Sequence, residues 1–219
     1  MNRLTRAVIC LLICNFVLAA VQDVFPPADP PYSSTFIQPQ PPNITAEFRA
    51  HFMQHKYDSD ITHNHIFSGF LYMSPSNRKI RLDGADDGNF QASLLDFNNS
   101  TDEGLVSNIL FNYAGDLTTP TCSYFFVPPF IPLFAPDFLG TQGAVYTGIQ
   151  KDEVHGPCST WVFMFGNDAV TAFLDSKNTL VRYDFVSPGD ANLRTYATTR
   201  FFNIIPGTIN ATVFNNTCL

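Results

Sequence analysis

Residues 44–53 read Ile44-Thr45-Ala46-Glu47-Phe48-Arg49-Ala50-His51-Phe52-Met53. Ile44, Ala46, Phe48, Ala50 and Phe52 alternate with Thr45, Glu47, Arg49, His51 and Met53. A period of two places one set on each side of an extended chain, so the stretch predicts a half-buried strand. Asp58-Ser59-Asp60 then turns the chain, and His65 to Met73 forms the next strand. Ser74-Pro75-Ser76-Asn77 is turn chemistry, with Arg78 to Leu82 returning as the far arm of a hairpin. Phe90–Phe97 and Leu105–Tyr113 make another pair, followed by Thr121–Val127. In the C-terminal half, Ala144–Ile149, Ser159–Phe165, Val170–Leu174, Leu180–Val186 and Arg194–Ile204 are strands. Gly166-Asn167-Asp168, Ser176-Lys177-Asn178 and Ser187-Pro188-Gly189-Asp190 separate several of them. Many short strands at regular spacing indicate an all-β sandwich or barrel. No convincing amphipathic helix and no internal repeat interrupt this pattern.

Composition bounds the class of partner. Of 219 residues, 14% are charged and 14% aromatic, with 22 Phe, and the formal net charge is −7. Charge is well below the roughly 25% usual for soluble domains. Low charge with abundant apolar area excludes a disordered acidic tail. An acidic balance with no basic stripe argues against nucleic acid, whose phosphates require clustered Lys and Arg.

The N-terminus reads as an export signal. Arg3 and Arg6 precede an apolar run from Ala7 to Ala20, about 14 residues and too short for a bilayer core of roughly 30 Å. Ala19 and Ala20 close it, which completes a secretory signal peptide over residues 1–20. Val21 to Pro42, with Pro26, Pro27, Pro30, Pro31, Pro39, Pro41 and Pro42, is an extended leader. Residues 43–219 are then one all-β domain. The expected location is extracellular.

Secretion changes how other signals are read. Asn43, Asn98, Asn99, Asn210 and Asn215 each begin an Asn-x-Ser/Thr acceptor pattern for N-glycosylation, which requires solvent exposure. Asn98 and Asn99 are therefore placed in a surface loop. Cys10 and Cys14 leave with the signal peptide. Cys122, Cys158 and Cys218 remain, so an oxidising route permits one disulfide and leaves one thiol over. The residues alone leave all three pairings open.

Pro128 to Leu139 stands apart. Pro128, Pro129, Pro132 and Pro136 exclude an inner strand and a long helix. Phe130, Ile131, Leu133, Phe134 and Phe138 nevertheless demand an apolar surface to rest on. The segment either seals one end of the core or lids a hydrophobic pocket.

A family resemblance enters here. Gly69-Phe70-Leu71-Tyr72-Met73 followed by Asn77-Arg78-Lys79-Ile80-Arg81-Leu82 resembles the first hairpin of the ependymin-related family. Gly104-Leu105-Val106, the strand after it and Thr121-Cys122-Ser123-Tyr124 resemble that family's central strand and its cysteine. Trp161 lies where the family carries a Trp-containing strand. The tail from Phe201 to Phe214, ending in Cys218, is similar to the family's closing strand and final cysteine. The likeness covers roughly Ile44 to Cys218 and extends to the wider LolA-like lipoprotein carriers. It implies two curved antiparallel sheets forming a half-open barrel or sandwich around an apolar pocket. It also implies a secreted or lysosomal glycoprotein, a Cys122–Cys218 disulfide, a hydrophobic or lipid ligand, an association with Ca²⁺ and possible homodimerisation. Family members usually carry more cysteines than this chain, and Cys158 has no counterpart among them.

Candidate sites follow. Phe48, Phe52, Phe70, Phe111, Phe126, Phe163, Phe173 and Phe185 on strands, with Trp161 and with Phe130 and Phe134 of the Pro-rich loop, are the candidate pocket lining. Bulky rings pack less readily without voids, and a ligand cavity wants such walls. His51, His55, His63 and His65 crowd one hairpin. If its turn centres near Ser59, His55 faces His63, an arrangement suited to Zn²⁺ or Cu²⁺ or to a pH response; otherwise they form a His-rich exposed face. Asp83, Asp86 and Asp87 in a Gly-containing stretch suit Ca²⁺, or are a polar turn. His155-Gly156-Pro157-Cys158 is the one candidate for a thiol nucleophile, and no base or oxyanion motif accompanies it. The function expected is a non-enzymatic, secreted binder of a lipid-like molecule. The alternative is a calcium-associated adhesion or matrix protein with a solid core.

Overall fold

Eleven antiparallel strands make up most of the described residues: β1 Phe48–Asp58, β2 His65–Ser74, β3 Lys79–Asp86, β4 Asn89–Ser100, β5 Val106–Tyr113, β6 Thr121–Val127, β7 Val145–Asp152, β8 Gly156–Phe165, β9 Asp168–Leu174, β10 Leu180–Ser187 and β11 Thr195–Pro206. A short helix, α1, spans Phe138–Thr141, and a 3₁₀ turn spans Ala211–Phe214. The computed structural model describes residues 35–58, 65–86, 88–113, 119–129, 131–187, 195–215 and 218. The expected signal peptide, the leader as far as residue 34, His63, Asp87, Phe130 and the side chain of Asp86 lie outside the described residues. Gln38–Leu219 forms one compact unit. No helix among the described residues is long and apolar enough to cross a membrane.

Strand order is β6-β5-β4-β3-β2-β1-β11-β10-β9-β8-β7. Hydrogen bonding therefore joins all the strands into one sheet. Two separate sheets were expected, and the difference has a simple cause: β1 pairs with β2 on one side and β11 on the other, leaving no boundary. Alternation of side chains reports which face a residue occupies, never which strand is its neighbour. The sheet is open, with β6 and β7 as its two edges. Every neighbouring pair except β1–β11 is a sequence-adjacent hairpin, so the sheet is two meanders fused along one ladder.

The core sits mainly on one face, called inner here. Phe48 and Phe52 of β1, Leu71 and Met73 of β2, Leu95 of β4, Trp161 and Phe163 of β8, Leu174 of β9 and Phe201 of β11 belong to one buried cluster. Ile131, Phe134, Phe138 and Leu139 of the Pro-rich segment join the same cluster. That segment links edge β6 to edge β7 and lies over the inner face between them. The first strand begins at Phe48 rather than Ile44. Residues before it spend their backbone donors elsewhere: Ile44 N–H donates to the Pro136 carbonyl at 2.8 Å and Thr45 N–H to that of Asn178 at 3.3 Å. Gly69 and Gly84 face each other across β2 and β3. A Cβ on Gly69 would run into the Asp83 carbonyl oxygen and the Gly84 Cα, and one on Gly84 into the Phe67 ring. Both positions need the absent side chain.

The outer face is covered in two places. Ala92, Leu94 and Phe111 are buried beneath Ile209 and Phe214 of the C-terminal segment. Ile209 N–H donates to the Glu47 carboxylate at 3.1 Å, Asn77 Nδ2 donates to the Ile209 carbonyl at 3.1 Å, and Arg81 Nη1 donates to the Val213 carbonyl at 2.9 Å. Burial works against the charged form of Glu47, but hydrogen bonds from Ser76, Ile209 and Ser74 hold its pKa below the ordinary value. Cys122 and Cys218 form a disulfide, the pairing the resemblance implies. It ties the chain end to edge strand β6.

The second cover is the tip of the β7–β8 hairpin. Asp152 ends β7, three and four places from β10 and β11 in the sheet, yet its carboxylate meets Arg182 Nη1 and Arg200 Nε, both at 3.3 Å. The tip is therefore folded across the outer face, above Cys158, Phe173 and Val181. Burial pushes the Asp152 carboxyl towards neutrality. The N–H groups of Val154 and His155, at 2.9 and 3.0 Å, and the two guanidiniums overcome this and bring its pKa down to about 2.

Two outcomes follow from these clamps. Replacing Cys122 and Cys218 together with Ser opens a closed loop with a sequence separation of 96. Chain entropy over so long a loop sets the cost at about 4–5 kcal/mol, read as a lower urea midpoint with a steeper slope, because the unlinked unfolded chain exposes more surface. Asp152 has a folded pKa below its unfolded value of 3.8. Its stabilisation is complete above about pH 4 and disappears as pH falls towards 2. Asp152→Ala is expected to cost about 2–3 kcal/mol at pH 7 and to flatten the acid limb of the stability curve over that window.

Candidate functional site

The Pro-rich segment does not fill all the space beneath it. Between Ile131, Pro132, Phe134, Phe138 and Leu139 on one side and strands β8 to β10 on the other lies a cavity of about 130 Å³. The strand wall consists of Phe163 and Phe165 on β8, Asp168, Val170, Ala172 and Leu174 on β9, and Leu180, Tyr183 and Phe185 on β10, with Ile44 completing it. The rings meet edge to face: Phe134–Phe138 at 5.3 Å and Phe138–Phe163 at 5.4 Å between centroids. Such contacts are rigid and directional, so the loop rests on β8 through Phe138 and roofs the space beside it.

Local backbone explains the wall. Asp168, Val170, Ala172 and Leu174 alternate onto one face of β9. On β10, the register slips between Leu180 and Arg182 opposite β9. This bulge lets Leu180 and Tyr183, three positions apart, face the same cavity. The Tyr183 hydroxyl is hydrogen-bonded to Thr199, and burial pushes its pKa up. Tyr183 packs against Phe201 at 5.9 Å, which anchors this wall to the centre of the core.

Of the expected lining, Phe134, Phe163 and Phe185 reach the cavity. Phe48, Phe52 and Trp161 belong to the inner core but are packed solid: Phe48 meets Phe201 at 5.9 Å, Phe52 meets Phe67 at 5.0 Å and Trp161 meets Tyr146 at 5.2 Å. Four others lie elsewhere. Phe173 stands between Ala172 and Leu174, so it points outward, with the Arg182 guanidinium 4.4 Å above its ring. Phe111 is in the outer cluster under the C-terminal segment. Phe70 lies opposite His51 on the outer face, 48% exposed, and Phe126 is 47% exposed on edge strand β6. The sequence showed that these phenylalanines alternate; it did not show which parity faced inward. Phe138 belonged to the apolar set of the loop and Phe165 continued the alternation of Phe163. Tyr183 continues the alternation of Phe185, and only Leu180 lies beyond the bulge.

His51, His55 and His65 form no metal-holding group, and His63 lies outside the described residues. His51 and His55 share the outer face of β1, where His51 packs on Phe70 at 4.5 Å and His55 Nδ1 pairs with the Tyr57 hydroxyl at 2.7 Å. The register puts Ile66, not His63, opposite His55, and pairs His65 with Lys56 on the other face. Asp83 is inside β3, not in a turn, and accepts from Arg81 Nε at 2.7 Å. Among the described residues no group of three or more His, Cys, Asp or Glu is placed to hold a metal ion. Cys158 is buried, and burial together with Asp152 and Asp175 raises its thiol pKa. That is the opposite of what a nucleophilic thiol needs. Asn43, Asn98, Asn99, Asn210 and Asn215 are all exposed, with Asn98 and Asn99 at the end of β4 rather than in a loop.

Wider hollows of about 480, 280 and 190 Å³ lie on the outer face, around Phe70 and Phe90, around Arg49 and Gly207, and around His51 and Asn203. They are open and lined largely by half-exposed side chains. The inner cavity is smaller but walled by buried apolar groups, the character of a ligand site.

The chain matches no protein-family model, and no curated protein matches it. Among solved structures it is similar to a DUF1329 family protein from Desulfovibrio piger, at 8% identity over 79% of this chain and 91% of that one, with a TM-score of 0.36. It is likewise similar to the LolA superfamily protein NE2245 from Nitrosomonas europaea, at 8% identity over 78% and 91% of the two chains, with a TM-score of 0.37. A third is PNGF-II, at 8% identity over 78% of this chain and 30% of that one, with a TM-score of 0.36. None of the three is an ependymin-related protein, so that resemblance rests on the residues quoted for it.

Proposed function

We propose that this protein is an exported carrier that holds a hydrophobic molecule, or the apolar end of one, in the cavity beneath the Pro-rich segment. It works by burial rather than reaction. The observation that carries this reading is the cavity itself: about 130 Å³ of space left inside the main core cluster, between the loop and β8 to β10. Exposure of every sequon asparagine supports glycosylation on the export route.

Size sharpens the ligand. An apolar cavity of about 150 Å³ holds one benzene ring. The cavity therefore suits a ring or about six carbons, not a whole acyl chain. At about 0.8 kcal/mol per buried methylene, six carbons yield roughly 5 kcal/mol. That corresponds to dissociation constants of about 0.1–1 mM for an apolar group alone. A tighter ligand must make a polar contact at the mouth or continue beyond it.

Ligand-induced stabilisation tests this. Phenol, indole and 1-hexanol, each at several millimolar, are expected to raise the melting temperature, because only the folded state offers the cavity. Ala172 lines the cavity and is buried. Ala172→Leu places three more carbons in that space, so it should abolish the ligand response while leaving the unliganded melting temperature equal or higher. Mass spectrometry of organic extracts of natively purified protein then identifies the natural occupant. No response to any of the three compounds, with no apolar compound in the extract, would sink the carrier reading.

A further inference from the structure

We infer that the natural ligand is a cation: a protonated amine on a ring-sized apolar body, with Asp168 receiving the ammonium. The inference rests on the cavity being a ligand site and names what that site selects.

Asp168 begins β9 and pairs with Phe165 at the end of β8. It shares its face with Val170 and Ala172, which is the cavity face. It is the one ionisable carboxylate in the lining, and no Lys, Arg or His accompanies it. It is also unlike the other half-buried carboxylates of the sheet. Asp83 is paired with Arg81, Asp96 with Lys79, and Asp184 with Arg182. Asp175 accepts from the N–H groups of Lys177 and Thr179. Fully buried Asp152 has two guanidiniums. Half-buried Asp168 has no hydrogen-bond or ion-pair partner for its carboxylate among the described residues.

A carboxylate held against an apolar wall loses part of its hydration and gains nothing unless a donor arrives. The other polar side chain of the lining is Tyr183, whose hydroxyl is hydrogen-bonded to Thr199 rather than to Asp168. An ammonium at the mouth supplies charge and hydrogen bonds together. Phe163, Phe165 and Phe185 line the same cavity, and aromatic rings attract a cation once water is excluded. The same carboxylate repels an acid, so a fatty-acid head group is disfavoured at this mouth. The chain's formal charge of −7 draws cations towards the protein before contact.

Three compounds of one shape separate the possibilities: 2-phenylethylamine, 2-phenylethanol and phenylacetate, titrated calorimetrically into the full chain at pH 7. The amine is expected to bind at least tenfold more tightly than the alcohol and the acid least tightly, with the amine's advantage shrinking as salt is added. Asp168→Asn should reduce the amine to the affinity of the alcohol without changing the alcohol. Asp168→Lys should reverse the order of amine and acid. Thermal melting of both variants checks that the fold persists. Equal binding of amine and alcohol to the unaltered protein, or an amine preference that survives in Asp168→Asn, overturns the inference and leaves the carrier reading intact. Failure of all three compounds to bind overturns both.

Discussion

One ladder holds the molecule together. β1 and β11 run antiparallel from Phe48 opposite Pro206 to Asp58 opposite Thr195, with a single irregularity near His51. All other neighbouring strands are connected by short local hairpins, which form without closing long loops. This ladder joins residues about as far apart as the domain allows, so its formation carries the main loop-closure entropy. In return it makes two meanders into one surface. Phe48, Phe52 and Phe201 meet across it, and the inner cluster extends from there to both halves. The ladder supplies the continuous face on which the Pro-rich segment can lie.

That segment then decides where space remains. Its prolines keep it out of the sheet, and its Phe and Leu side chains must fit whatever relief the strands present. Phe138 seats edge to face against Phe163, while Ala172 leaves a low point on β9 that no loop side chain fills. Rigid rings over a small residue cannot interdigitate completely. The cavity is thus a consequence of mismatch between a stiff roof and an uneven floor. Its single carboxylate is there because β9 begins at Asp168, immediately after the Gly166-Asn167 turn.

The two faces of the sheet are managed by different physics. Inside, burial is apolar and a loop closes it. Outside, a C-terminal strap and a folded hairpin tip are each held by charge and directed hydrogen bonds: Glu47, Asn77 and Arg81 for the strap, Asp152 with Arg182 and Arg200 for the tip. Directed contacts fix short segments that have little apolar area to bury.

Period-two alternation from Ile44 to Phe52, the Gly, Pro and Asn turns, and the Pro/Phe loop were legible without coordinates, because each depends on local sterics. An all-β chain with an apolar loop in its middle follows from them. Which strands become neighbours does not, since β1 carries the same residues whether β11 lies beside it or in another sheet. The lining of the cavity was legible only where parity could be extended from one strand, as for Phe163. Phe173 and Phe111 alternate just as well and point the other way, and the bulge between Leu180 and Arg182 breaks the count that would carry Leu180 onto the face of Tyr183 and Phe185. His55 and His63 looked like partners, but the register sets Ile66 opposite His55. Local chain chemistry determined the strands, the turns and the apolar load. Tertiary structure decided register, face and the vacancy under the loop, because those depend on contacts between residues that are distant in the chain.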